Sequence, residues 1–281
     1  MDYNAGLQHQ NEQLKREIEL LKAERKQIKS IRVKLSVLLL VLLLISMVTT
    51  TFAWFTISSI ASVHNMEITI GTGVQLLISD EDHGATLTEY TNEITEVEIN
   101  KQLSAYNTSL AEMEIDPLTS SDGVRLYTQK GTQRTANDDS FLEFKLFFIG
   151  TEDMWVHLSS DESEAGADNG TKVSTSSTGA QADIINCARV SFTDEQAGTT
   201  AIYEPNQGSA VAGQSTFDLP YPMAYSNSTR LFHLEALTPK MITVRVWIEG
   251  EDPQCDDDVQ LANLQIQLNF EGTDDNNIPV N

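Results

Sequence analysis

The spacing of apolar residues changes twice along the chain, and each change predicts a different structure. Within residues 1–34 an apolar residue recurs every seven positions, at Leu7, Leu14, Leu21 and Ile28. This period predicts a helix, because two turns return a side chain to the same face. The companion positions of a coiled-coil seam are Asn11, Ile18, Arg25 and Arg32. Since most of these are polar, a short coiled coil and a single solvated helix are both open.

An uncharged stretch follows at residues 35–54, where the apolar pattern is continuous. At about 1.5 Å of rise per residue, a helix of this length is close to the thickness of a bilayer's hydrocarbon core. The stretch also fits a signal peptide, with residues 35–48 as the apolar region and Thr51-Phe52-Ala53 as a small-x-small cleavage site. A retained transmembrane anchor and a cleaved leader are therefore both open.

Beyond residue 54 the spacing becomes two, which predicts strands. Residues 141–149 read FLEFKLFFI, with apolar side chains alternating across one face. Residues 242–248 and 264–270 alternate in the same way, which predicts two half-buried strands joined by the acidic loop 250–260. Further strands are predicted at 67–70, 74–79, 123–129, 154–159, 184–192 and 230–237. A short helix is predicted within 95–114, and long polar loops at 159–181 and 197–214.

These elements predict a mainly β fold, an antiparallel β-sandwich or jelly-roll ectodomain preceded by one long N-terminal helix. The predicted divisions are a charged helix at 1–34, a transmembrane or signal segment at 35–54, a donor strand or stalk at 55–66, and an acidic β-sandwich at 67–281. About 225 residues follow the apolar run, enough for one large β domain.

Charge predicts the orientation across the membrane. Residues 1–34 hold eight Lys or Arg against five Asp or Glu, a net charge of +3. Because the net charge of the whole chain is −23, residues 35–281 carry a net charge of −26. The positive-inside preference therefore predicts a cytoplasmic N-terminus and an extracellular ectodomain, membrane-anchored or secreted. A pI near 4.4 argues against nucleic acid as a partner, because a polyanion would be repelled.

The sequence shows few signs of catalytic chemistry. No G-x-S-x-G elbow, phosphate-binding loop or dinucleotide fingerprint occurs, and we expect a non-enzymatic protein with no obligatory cofactor. The two cysteines, Cys187 and Cys255, both fall on the side predicted to be exported, where a disulfide could persist. A disulfide and two unrelated thiols are equally open.

The junction after the apolar run resembles a known family. Residues 52–56 read FAWFT and are followed by a strand pattern at 66–71, and residues 246–255 read VWIEGEDPQC ahead of the last strand. Both segments are similar to those of SipW-processed, TasA- and camelysin-like exported proteins of Gram-positive bacteria, which belong to biofilm matrices. The resemblance implies a signal peptidase as partner, cutting between Ala53 and Trp54.

The resemblance further implies a jelly-roll subunit that assembles into fibres by donor-strand exchange. Its freed N-terminal segment would add a strand to the next subunit, with Phe55, Ile57 and Ile60 as apolar anchors. The alternative is that this segment forms a stalk between membrane and domain. Self-association, or contact with other surface or matrix proteins, is expected in the first case.

Two metal hypotheses follow. Camelysin-like proteins have been classed as metallopeptidases, but no H-E-x-x-H occurs, and His157 fits an ordinary position on a strand. Calcium is the second candidate, because hard oxygen ligands crowd one short loop. These ligands are Glu251, Asp252, Asp256, Asp257 and Asp258. A solubilising acidic surface explains the same residues without a metal.

Three functions therefore compete. The first is a non-enzymatic cell-surface or extracellular-matrix structural protein, with fibre assembly by donor-strand exchange. The second is an uncleaved type II membrane protein with an extracytoplasmic binding domain. The third is a metallopeptidase.

Overall fold

The described part of the chain lies almost wholly after the apolar run. The computed structural model describes residues 22, 62–70, 76–138, 140–160, 170–205, 211 and 213–280, with side chains from residue 66 onward. The chain divides into two compact units, Met1–Thr56 and Ile57–Asn281. Of the long N-terminal helix predicted over residues 1–54, only Lys22 is described, and it is helical. Among the described residues, none of the helices has the length and apolar character needed to cross a membrane.

Strands dominate the described residues, as the alternating pattern predicts. The strands are β1 (Ser62–Ile70), β2 (Leu76–Ser79), β3 (Glu93–Ile94), β4 (Pro117–Leu118), β5 (Leu126–Tyr127), β6 (Gln133–Arg134), β7 (Leu142–Gly150), β8 (Met154–Leu158), β9 (Lys172–Ser174), β10 (Ala188–Asp194), β11 (Thr199–Tyr203), β12 (Arg230–Leu234), β13 (Lys240–Glu249) and β14 (Asn263–Thr273). Besides the helical residue Lys22, the α-helices within the described ranges are α1 (Glu96–Leu103) and α2 (Ile184–Cys187). Short 3₁₀ helices occur at Leu87–Glu89, Ser104–Tyr106, Ala136–Asp138, Gly179–Asp183, Asn227–Thr229 and Asp257–Val259.

Two six-stranded sheets carry the fold. Sheet I has the order β12-β8-β14-β1-β3, with β9 also beside β14, and sheet II has the order β11-β10-β13-β7-β2, with β4 also beside β13. Strands β5 and β6 form a separate two-stranded sheet. Pairing is antiparallel except at β1–β14 and β4–β13, which are parallel. The mainly β, antiparallel prediction is thus confirmed.

The inner faces of the two sheets share one core. Phe148 of β7 lies with its ring centroid 5.0 Å from that of Phe232 and 4.9 Å from that of Phe270. Phe192 of β10 lies 5.7 Å from Phe270. Since Phe148 and Phe192 belong to sheet II and the others to sheet I, these contacts join the sheets face to face. Edge-to-face and tilted packing of this kind adds to the burial of the rings.

The strand predicted at 242–248 was expected to be half-buried, and that was wrong. Every residue of β13 from Ile242 to Glu249 is buried. Residues after β4 cover the outer face of sheet II, where Leu118, Leu126, Phe141, Ile202 and Trp247 form a second apolar cluster. The alternation along β13 therefore separates two buried faces of the strand. The face toward the core is apolar, whereas the outer face under the covering residues carries mostly polar side chains.

Other sequence predictions need correction as well. The two C-terminal strands, which the acidic loop joins as predicted, lie in different sheets, β13 in sheet II and β14 in sheet I. The strand predicted from residue 184 begins only at Ala188, after the helical turn α2. The predicted polar loops contain β9 and β11. Both strands are short, and each still buries apolar side chains, Val173 in β9 and Ile202 and Tyr203 in β11.

The predicted short helix is present as α1. Thr95 and Glu98 form a capping box at its N-terminus. The side chain of each residue accepts a hydrogen bond from the backbone N–H of the other. Ile99 and Leu103 lie four residues apart on its buried face. The helix ends at Leu103, where a 3₁₀ turn leads to Asn107 at a positive φ.

Candidate functional site

The N-terminal strand β1 lies alongside the C-terminal strand β14 in parallel. Register partners run from Ser62 and Asn263 to Ile70 and Phe270, with an irregularity between Val63 and Asn65. On its other side β1 pairs with the two residues of β3, and the Ile70 backbone N–H donates to the Asn92 carbonyl oxygen at 3.0 Å. Most of β1 therefore depends on a single neighbour among the described residues.

The side chains of β1 alternate between core and solvent. Met66 is 2% exposed and Ile68 fully buried, whereas Glu67 between them is exposed. Both apolar residues belong to the main core of the two sheets. The strand thus supplies apolar side chains to one face of the domain and backbone pairing to β14, the two contributions required of an added strand.

The residues proposed for export and exchange lie outside the described part of the chain. These are the cleavage residues Ala53 and Trp54, the anchors Phe55, Ile57 and Ile60, and the membrane segment 35–54. Only the C-terminal end of the predicted donor segment 55–66 is described, and it is strand β1 from Ser62.

The acidic loop after β13 does not present its carboxylates together. Asp252 is fully buried, whereas Glu251, Asp256, Asp257 and Asp258 are exposed. Asp256 accepts a hydrogen bond from the Asp258 backbone N–H at 2.9 Å and so caps a 3₁₀ turn. Within the described ranges no group of three or more His, Cys, Asp or Glu is arranged to hold a metal. Calcium at this loop stays a prediction, with Asp252 committed to another partner.

That partner is Arg189, the centre of a fully buried ion cluster. Its Nη2 lies 2.6 Å from Asp252 Oδ2 and 2.9 Å from Glu204 Oε1, and no side chain of the three is exposed. Thr216 donates its hydroxyl hydrogen to Glu204 Oε2 at 2.5 Å. The cluster ties the start of β10, the end of β11 and the acidic loop together.

A second buried carboxylate, Glu249, has only neutral donors among its hydrogen-bond partners. Its Oε2 accepts from Trp247 Nε1 at 3.1 Å, from the Ser120 backbone N–H at 3.4 Å and from Gln214 Nε2. Its Oε1 accepts from the Glu251 backbone N–H at 3.2 Å. Several such bonds allow a charged group to remain away from water. A shallow cavity of about 320 Å³ lies beside it, lined by Gln214, Glu251 and Tyr127 among others.

The two cysteines lie next to each other as free thiols. Cys187 is fully buried at the end of α2, and Cys255 is 4% exposed in the acidic loop. A hydrogen bond between the two thiols, followed by burial, raises the pKa of Cys187. The structure therefore brings together two residues whose pairing the sequence left open.

His157 occupies a structural position on β8. Its Nδ1 lies 3.0 Å from Thr229 Oγ1 and its Nε2 lies 2.9 Å from Thr273 Oγ1. Burial, with a smaller effect of the nearby Arg230 charge, lowers the pKa of His157 to about 4. The ring is thus held neutral between two hydroxyls. Its position on a strand face agrees with the sequence-based interpretation.

Arg189, Glu204 and Glu249 were not predicted from the sequence as buried site residues. Arg189 and Glu249 stand within strand patterns whose neighbours are apolar, and a charge at such a position requires a buried partner. The sequence thus indicated that these two charges have buried partners, but it did not indicate which residues the partners are. Glu204 lay in a stretch taken for a polar loop.

Compared with protein-family models, with curated proteins and with solved structures, the chain matches none. The fold and the arrangements above define it as a mainly β protein with two facing sheets, an acidic surface and, among the described strands, a parallel pairing of the first with the last.

Proposed function

We propose that the chain is a non-enzymatic structural protein of the cell surface or extracellular matrix that assembles into fibres by exchanging its N-terminal strand. Residues 35–54 would deliver the acidic domain across the membrane, and a signal peptidase would cut between Ala53 and Trp54. The observation that carries the proposal is the parallel pairing of β1 with β14.

Strand exchange needs a strand that fills the core of the domain but is joined to the rest of the domain by the chain on one side only. Strand β1 fits the first condition because Met66 and Ile68 fill the core. It fits the second because it stands at the N-terminal end of the domain and is followed by the glycine-containing segment 71–75 before β2. A second copy's β1 can make the same backbone pairs with β14 and bury the same two side chains, so exchange conserves these contacts.

We further propose that the two sheets form a jelly roll. Two facing antiparallel sheets that accept a terminal strand are consistent with a jelly roll, the fold implied by the resemblance at residues 52–56 and 246–255. On this hypothesis Phe55, Ile57 and Ile60 precede β1 and extend the exchanged segment into the neighbouring copy.

The charge of the domain sets a condition on assembly. With −26 carried by residues 35–281, neighbouring copies repel one another at low ionic strength. Fibre formation should therefore increase with added salt. Calcium bound at the exposed acids of the loop 250–260 would reduce the same repulsion at lower concentrations.

The test combines the mature N-terminus with crosslinking at one register pair. Glu67 and Gln267 are opposite each other in β1 and β14, and neither is fully buried. Chains carrying only Glu67→Cys are mixed with chains carrying only Gln267→Cys, assembled and oxidised. Strand exchange predicts a crosslink between the two kinds of chain. Pairing Glu67→Cys with Gln265→Cys, which is opposite Asn65, is the out-of-register control.

The outcomes separate the competing functions. A secreted form that begins at Trp54, filaments by electron microscopy and crosslinks between chains support the proposal. A further sample uses chains that carry both substitutions. If its filaments contain crosslinks only within single chains, exchange of β1 is ruled out. A full-length monomer confined to the membrane favours the type II membrane protein instead.

A further inference from the structure

Two segments that are distant in sequence run against each other in opposite directions around the cysteines. Gln181 donates from its Nε2 to the carbonyl oxygen of Gln260 at 2.7 Å. Further along, Arg189 Nη2 pairs with Asp252 Oδ2 at 2.6 Å. Residue numbers therefore rise along the first segment, from 181 to 189, in the direction in which they fall along the second, from 260 to 252. The two segments are antiparallel.

Both cysteines fall between these two fixed points. Cys187 precedes Arg189 by two residues, and Cys255 follows Asp252 by three, with its backbone N–H donating to the Asp252 carbonyl at 2.9 Å. The Cys187 thiol donates to the Asp183 carbonyl oxygen at 3.5 Å, and both cysteine side chains are buried in the main core. The pair is therefore placed by contacts on both sides rather than by chance proximity of mobile loops.

We propose that Cys187 and Cys255 are a modification site at which an organic disulfide oxidant forms an intramolecular disulfide. The thiolate of one cysteine attacks the oxidant R–S–S–R, forms a mixed disulfide and releases one R–S⁻. The second cysteine, after losing its proton, attacks the mixed disulfide and releases the other R–S⁻. The two cysteines are oxidised by two electrons, the oxidant is reduced to two R–SH, and the two protons are transferred to the leaving thiolates.

Burial determines when this reaction occurs. Only the thiolate is nucleophilic, and the buried, hydrogen-bonded Cys187 has a raised pKa. The bond therefore forms while the chain folds, before the acidic loop closes over the pair. Once formed, it is shielded from soluble reductants for the same reason.

The bond joins the start of β10 to the loop between β13 and β14. It closes a loop of about 70 residues, which restricts the unfolded chain strongly. It also fixes Asp252 beside Arg189, so the buried ion cluster stays closed when the outer loops open. The inference goes beyond the proposed function, because it holds whether or not the chain assembles.

The experiment uses the purified full chain, unfolded under reducing conditions and refolded with either oxidised glutathione or a reductant. We expect the oxidised sample to show no alkylatable thiol after denaturation and to yield, without reduction, a linked peptide containing Cys187 and Cys255 from a monomer. Its thermal midpoint should rise by about 10 °C over the reduced sample. The reduced, already folded protein should oxidise on the order of tenfold more slowly than the refolding chain.

The variants Cys187→Ala and Cys255→Ala are matched controls. Each should show the same thermal midpoint in oxidised and reduced buffers. The mapping of the unaltered chain does not depend on whether either variant folds. Two alkylatable thiols after oxidative refolding, or a linked peptide that joins two chains, would overturn the proposal.

Discussion

Arg189 Nη2 lies 2.6 Å from Asp252 Oδ2, and neither side chain is exposed to solvent. Glu204 Oε1 lies 2.9 Å from the same nitrogen. Arg189 Nη1 donates to the carbonyl oxygens of Asn186 and Ala188. Two carboxylates therefore share one guanidinium inside the protein. Removing the cation would leave both acids without their opposite charge.

Arg189→Met should destabilise the domain by about 3–5 kcal/mol, because it leaves uncompensated buried charge. Equilibrium unfolding in urea measures the loss. Arg125→Met is the control, since Arg125 is 62% exposed and pairs with Asp122 at 2.8 Å on the surface. Its loss should be about 0–1 kcal/mol. Equal losses for both variants would show that the buried cluster contributes no more than a surface ion pair.

Gly123→Ala should lower the stability of the domain by more than a glycine-to-alanine substitution whose added Cβ meets no neighbouring atom. Gly123 lies in the segment that covers the outer face of sheet II. Gly123 has φ of +68°, and an added Cβ would lie 2.9 Å from both Ile202 Cγ1 and Ser191 Cβ. Ser191 also donates its hydroxyl hydrogen to the Gly123 carbonyl at 2.6 Å. A left-handed backbone costs an alanine about 1–2 kcal/mol, and the clash adds to it.

Gly131→Ala isolates the backbone contribution. Gly131 has φ of +77°, but no atom lies within 4 Å of its added Cβ. Thermal unfolding of the two variants should therefore give the larger loss for Gly123→Ala. Similar melting temperatures would mean that the chain over sheet II moves away at little cost.

Strands with one face toward the core were predictable from sequence. In β7, Leu142, Phe144 and Leu146 are buried while Lys145 is exposed, as the alternation predicts. In β13 the same alternation failed to predict burial, because Trp247 and Glu249 are covered by segments far away in sequence. Alternation distinguishes two faces of a strand, but it does not say what covers each face.

The candidate sites were less predictable than the strands. The alternating pattern of β1 indicates a strand but fixes neither its partner nor its direction, and β14 lies about 200 residues further along. Likewise, the positions of Cys187 and Cys255 give no pairing, because adjacency follows from the packing of two loops. Strands β9 and β11 are too short for their buried apolar residues, Val173 in β9 and Ile202 and Tyr203 in β11, to form an alternation that sequence alone would show.

Ile68→Ala should cost about 2–5 kcal/mol, as expected for a large apolar side chain removed from a packed core. Ile68 is fully buried on β1 beside Leu268 and Ile94 in register. Glu67→Ala changes the exposed neighbouring residue and should alter stability by less than about 0.5 kcal/mol. The free energy of unfolding from denaturant titration gives both values. A small loss at Ile68 would show that β1 is dispensable for the core, contrary to what strand exchange requires.

His157 should make stability depend on pH in a defined direction. Thr229 donates its hydroxyl hydrogen to the Ser226 carbonyl at 3.0 Å, so toward His157 its oxygen acts as an acceptor, for Nδ1–H, as it also does for the Ser226 backbone N–H at 3.1 Å. His157 Nε2 then accepts from Thr273, and a neutral ring satisfies both hydroxyls. Burial lowers the folded-state pKa to about 4, whereas an unfolded histidine titrates near 6.5.

Between those two pH values the unfolded chain binds more protons than the folded one, so the contribution of His157 is complete above about pH 6.5 and is lost as pH falls toward 4. The full effect is at most about 3 kcal/mol. It is measured as the difference in unfolding free energy between the unaltered chain and His157→Gln, because protonation of surface acids relieves repulsion equally in both. The difference should shrink from pH 7 to pH 4.5. His233→Gln, at a half-buried position on the adjacent strand β12, measures the effect of replacing an imidazole outside the threonine pair. A difference for His157→Gln that stays constant over this range would mean that the ring is solvated, and that the two threonine contacts do not hold it neutral.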